Sequence, residues 1–101
     1  MMQVVESRHG VPIRLTDERW AHISEEHSEL AGYRFEVLET VADAERVLAG
    51  KGGELLAVRE LRPGKSLVVV YREFETDGFV ITAFMTTRLK SLERRRQLWP
   101  K

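Results

Sequence analysis

His27 is the residue most able to do chemistry, because it stands in the apolar stripe of the stretch Thr16 to Leu30, TDERWAHISEEHSEL. On a helix turning about 100° per residue, Trp20, Ile23 and His27 fall within roughly 60° of one another, and His22 points about 140° away from His27. One imidazole therefore faces the fold and the other faces water. Thr16 suits the N-cap, Asp17 and Glu18 suit the positive end of the helix dipole, and Glu29 brings a carboxylate close to His27. A partly enclosed imidazole is either a hydrogen-bonded core residue or a proton-transfer group working near neutral pH.

Other chemistry-bearing residues lie in β-rich runs. Arg59 shares a strand face with Leu55, Ala57 and Leu61, and Tyr71 shares one with Leu67 and Val69. A guanidinium within an apolar run needs an anion or solvent, so Arg59 either meets a ligand or pairs with a helix carboxylate such as Glu29 or Glu36. Arg72 falls on the other face of its strand, with Val68, Val70 and Phe74. Thr86 and Thr87 arrive with Arg88 at a strand end, a usual place for groups that meet ligands, and Thr82 alternates away from Ile81 and Ala83. His22 and His27 lie on opposite helix faces and cannot share an ion, so no metal site is expected. Gly50, Gly52 and Gly53 follow a helical stretch and do not open one, which argues against a phosphate-cradling loop, and no cofactor is implied.

These groups must be positioned by an α+β fold. Gln3 to Ser7 and Val11 to Leu15 flank Arg8-His9-Gly10 as an N-terminal hairpin. The helix of His27 follows, then a second from Arg34 to about Thr40, and Asp43 is placed to cap a further helical turn through Leu48. Glu54 to Leu61, Ser66 to Phe74 and Phe79 to Thr87 then read as three long strands of an antiparallel meander. The last two are almost continuously apolar, so they should be central, with the helices packed on at least one face. A short basic helix from Ser91, docked by Leu92 and Trp99, ends the chain at Pro100.

The 101 residues are expected to form a single domain, 1–101, and carry no cysteine. No segment has the length or apolarity of a membrane span, and a cytoplasmic setting is expected. The net charge of zero hides a polarity. Asp17 to Leu48 holds nine acidic residues against three arginines, while the chain from Arg88 holds six basic residues against Glu93. A basic end of this kind can meet a phosphate backbone or an acidic protein even in a neutral chain.

The stretch EEHSEL, followed by ELLAVREL, SLVVVYREF and DGFVITAFMTT, resembles small toxin-type ribonuclease domains of the barnase, EndoU, colicin and RelE fold group, including phage-associated and BrnT-like members. The resemblance covers roughly residues 13 to 96, and Ser28 stands where the phage-type members tend to carry proline. It implies metal-independent endonucleolytic cleavage of RNA by attack of the ribose 2′-hydroxyl on the adjacent phosphate. In that reaction His27 would be general base or acid, Arg59 would stabilise the phosphate charge, and Tyr71, Thr86 or Thr87 would donate hydrogen bonds. Arg88, Lys90, Arg94, Arg95 and Arg96 would hold the RNA backbone. It also brings in an antitoxin or immunity protein as a partner. The alternative is a non-catalytic protein-binding module or a degenerate toxin fold, as a homo-oligomer or with another protein, which the zero net charge favours.

Overall fold

The computed structural model describes all 101 residues. It is an α+β fold built on one seven-stranded sheet. The strands are β1 (Met2–Glu6), β2 (Pro12–Thr16), β3 (Arg46–Ala49), β4 (Leu55–Arg62), β5 (Lys65–Glu73), β6 (Gly78–Thr86) and β7 (Gln97–Trp99). The helices are α1 (Asp17–Glu26), α2 (Arg34–Ala42) and α3 (Lys90–Glu93), with a 3₁₀ turn at Ser28–Leu30. The strands lie in the order β1-β2-β6-β5-β4-β3-β7. Every pairing is antiparallel except β2 with β6, so the sheet is mixed.

Local chemistry accounts for much of this. Gly10, at φ 82°, takes the left-handed position that closes the β1–β2 turn. The Thr16 side chain accepts from the Arg19 amide at 3.1 Å and starts α1. The helix ends at Glu26, earlier than its stripe implies, and the chain tightens into the 3₁₀ turn with Leu30 N–H bonded to His27 C=O at 2.9 Å. A stripe cannot separate the two windings here, since both return Leu30 to the core, where it is fully buried.

Two expected helical segments are strands instead. Asp43 ends α2 and starts nothing, while Arg46–Ala49 pairs with Leu55–Val58 of β4. A four-residue run such as RVLA fits either winding, and the available sheet edge decides between them. The final basic stretch is helical only through Glu93. Beyond it, Trp99 pairs with Val47, so Leu92 and Trp99 dock on different surfaces.

The main core gathers Val37, Leu38 and Val41 of α2 with Ile23, Leu30, Ile13, Leu15, Val47, Ala57, Leu67, Val69, Tyr71, Val80 and Ala83. The sheet curls around α2 until its two ends meet. Arg8, in the hairpin turn at one end, stacks its guanidinium 4.2 Å from the ring centre of Trp99 in β7 at the other. Arg8 Nε also donates to the Ala44 carbonyl at 3.0 Å. Glu73 fastens the same hairpin by accepting from the Ser7 hydroxyl and lying 2.7 Å from His9 Nδ1. No helix is long and apolar enough to cross a membrane.

The sheet's opposite face carries a smaller cluster of Leu48, Leu56, Val58, Val68 and Leu92, with Val70, Phe84 and Leu89 at its margin. Only α3 and its flanks cover this face, so part of it stays open. Where β2, β5 and β6 converge, a Cβ on Gly78 would collide with the Arg72 carbonyl and the Ile13 side chain. Gly78→Ala should therefore destabilise the fold by about 1–3 kcal/mol in chemical denaturation, against at most about 0.5 kcal/mol for the exposed His22→Ala.

Candidate functional site

The structure does not bring His27, Arg59 and Tyr71 to one cleft. Arg59 projects from β4 on the helix side, where its Nη2 donates to Glu39 Oε1 at 2.7 Å, in a hollow lined by Tyr33, Glu36, Leu61 and Arg62. Its partner is a helix carboxylate one turn beyond Glu36. Tyr71 is fully buried and its hydroxyl has no hydrogen-bond partner. Burial, and secondarily the charge of Glu73, push that phenol well above its usual pKa. A phenol so enclosed reaches no substrate.

His27 lies elsewhere. It sits between α1 and the 3₁₀ turn, about one-third exposed, with Nδ1 at 3.6 Å from Glu29 Oε2. Its ring centre is 6.3 Å from that of Phe84, tilted by 37°. Phe84 pairs with Val68, and both belong to the face opposite α2. The reason His27 reaches this face is a gap in the sheet. β2 pairs with β6 only at Gly78 and Phe79, and beyond them α1 and the 3₁₀ turn run beside β6. Arg19 Nη1 donates to the Ile81 carbonyl there at 3.4 Å.

A bulge decides what else this face presents. Val70 pairs with Thr82 but Tyr71 pairs with Val80, leaving Ile81 as the extra residue. Phe79, Thr82 and Phe84 consequently share the open face, while Val80, Ala83 and Met85 face the core. Strict alternation would have split Phe79 from Thr82 and Phe84. Arg72, opposite Phe79, completes the set. It makes no ion pair, and its guanidinium lies against Gly53, near Glu54. The Glu54 carboxyl is held below the usual range chiefly by the Gly52 and Glu54 amides, with Arg72 and Arg95 adding their charge.

Further along the row, Arg14 places its guanidinium 5.8 Å from the Phe79 ring centre and bonds Asp77 at 2.8 Å. Phe74, about half exposed, lies 6.2 Å from Phe79. The open face thus displays an imidazole, a hydroxyl, two guanidiniums and three phenyl rings in adjacent rows. Strand neighbours stand about 4.8 Å apart and same-face neighbours along a strand about 7 Å apart, so a short oligomer could span them.

The remaining expected residues lie at the margins. Thr86 is half-buried and accepts from the Arg88 amide at 2.9 Å, while Thr87 is exposed. Thr87, Arg88 and Lys90 line a hollow with Gly64, Leu89, Ser91 and Glu93. Arg94 and Arg96 are exposed, Arg95 is half-buried, and none of these cations is in an ion pair with an acidic side chain. His22 pairs with Glu26 at 3.4 Å on the outer side of α1. Ser7, His9 and Glu73 also meet, but Glu73 stands between the other two, so no imidazole activates the Ser7 hydroxyl. No three of His, Cys, Asp and Glu converge as metal ligands.

Comparison with protein-family models, with curated proteins and with solved structures finds no match to this chain. The class that can be stated is an α+β domain with a curled mixed sheet and one open, cation-bearing face.

Because the Tyr71 hydroxyl is buried without a partner, Tyr71→Phe should leave stability unchanged or raise it by about 1–2 kcal/mol in chemical denaturation. Any function of the open face should be unaffected by the same change.

Proposed function

We propose that this chain is a metal-independent endoribonuclease that works on the open face of its sheet. The observation that carries the reading is the His27 ring meeting Phe84 on the face that also presents Thr82 and Arg72. Base, donor and cation are the three functions that cleavage by a 2′-hydroxyl requires. The resemblance of the EEHSEL stretch and the meander to toxin-type ribonucleases points to the same reaction.

In this reading the neutral His27 imidazole accepts the 2′-hydroxyl proton, and O2′ attacks the adjacent phosphorus. The P–O5′ bond breaks, the departing 5′-oxygen takes a proton from water, and a 2′,3′-cyclic phosphate remains. Glu29, at 3.6 Å from Nδ1, favours the proton on that nitrogen and leaves Nε2 as the acceptor. Arg72 takes the phosphate role first given to Arg59, and Thr82 donates to a phosphate oxygen in place of Tyr71. Phe79 and Phe84 offer stacking surfaces for bases, each worth about 1–3 kcal/mol. Arg88, Lys90 and Arg94 to Arg96 supply a salt-sensitive hold on the RNA backbone.

A second reading, a non-catalytic module that binds an antitoxin, an immunity protein or another copy of itself, is favoured by the zero net charge. Single-stranded RNA separates the two. His27→Ala should lower cleavage at least about 100-fold with an unchanged thermal midpoint. Arg72→Ala should also impair cleavage, Arg59→Ala should not, and an all-deoxy substrate should remain uncut. RNA that is neither bound nor cut at low salt would sink the nuclease reading and leave the binding module.

A further inference from the structure

The outer edge of β1 is an unfilled place in the sheet. β1 is the terminal strand, and its hydrogen-bonding phase follows from its turn. Ser7 N–H bonds the Val11 carbonyl, which makes Ser7 and Val11 a bonded pair. The next pair, Glu6 with Pro12, lacks a donor on the proline side and is an unbonded position. Antiparallel alternation then directs the backbone N–H and C=O of Met2, Val4 and Glu6 outward, away from β2. None of the three bonds to a side chain or to another backbone segment.

Beside this edge lies a groove of about 440 Å³ between β1 and α2. Consecutive strand residues Gln3, Val4 and Val5 form one wall, as expected of a groove that follows a strand's edge. Phe35, Leu38 and Ala42, spaced along one side of α2, form the other. Phe35 is 68% exposed and Val4 51%, unusual for such side chains next to an open edge. The charged residues lining the groove, Glu39 and Asp43, are both acidic, and Glu6 stands at the far end of the strand. Glu39 is held by Arg59, whereas Asp43 and Glu6 have no cationic partner.

We propose that β1 and α2 form a docking site for an extended segment of a partner protein in which apolar residues alternate with Lys or Arg. The segment adds to the sheet as an eighth strand. Its backbone pairs with Met2, Val4 and Glu6, its apolar side chains enter the groove against Phe35 and Leu38, and its cations meet Asp43 and Glu6. A second copy of this chain is the poorer occupant, because pairing β1 with β1 would bring two acidic α2 helices together. The site is separate from the open face and does not depend on the nuclease reading.

The test is selection of random nonapeptides displayed on phage against the intact chain, followed by hydrogen exchange with the enriched peptide made synthetically. Enriched sequences should alternate apolar and basic residues and slow exchange at the Met2, Val4 and Glu6 amides. Phe35→Glu and Asp43→Lys should each weaken binding about tenfold or more while leaving the thermal midpoint unchanged. Methylating alternate peptide nitrogens should abolish binding. The proposal is overturned if nothing is enriched, if acidic peptides are, or if protection maps away from β1. It is equally overturned if the β1 amides become protected as chain concentration rises without peptide, which would make the occupant a second copy.

Discussion

The fold depends on one act of burial, the enclosure of the apolar side of α2 by a sheet that curls around it. A nine-residue helix has little stability of its own, and a seven-stranded sheet with one bare apolar face would not stay monomeric. Each solves the other's problem. Val37, Leu38 and Val41 meet residues from β2, β3, β4, β5 and β6 in one core, and the sheet must bend for all of these strands to reach a single short helix. That bend brings Arg8 to Trp99 and leaves the convex side only partly covered.

The open face follows from the same constraint. Because α1 and α2 are committed to the concave side, only α3 and its flanks remain to cover the convex side, and they reach no further than the cluster around Leu92. The rest of that side keeps residues that an enclosed surface would not tolerate. Arg72 stands without an anion within ion-pairing distance, Phe74 is half exposed, and the His27 ring turns over the sheet margin. The central strand β5 shows the division within one segment. Leu67, Val69 and Tyr71 face α2, and Val68, Val70 and Arg72 face outward.

Much of the architecture was legible in the sequence. Alternation and turn residues marked the hairpin and the three strands of the meander, and Thr16 marked the start of α1. Two short segments were not. Arg46–Ala49 and Gln97–Trp99 carry no periodic signal of their own and become strands because they find each other and β4 across a wide stretch of chain. The site was harder to read for a different reason. A bulge changes the phase of a strand without changing its composition, so the common facing of Phe79, Thr82 and Phe84 is invisible to any rule of twos. Arg59 and Tyr71 looked active because they are polar residues on an apolar face, yet one is neutralised by Glu39 and the other is sealed in the core.

The stack of Arg8 on Trp99 joins residues near the two ends of the chain, and its consequence lies in time more than in space. Loop closure over so long a separation comes late, after the local hairpins and helices have formed. During synthesis the hairpin and α2 are made long before Trp99, so the nascent domain waits with its barrel unclosed and part of its core wet. The last strand to be made is therefore also the clasp.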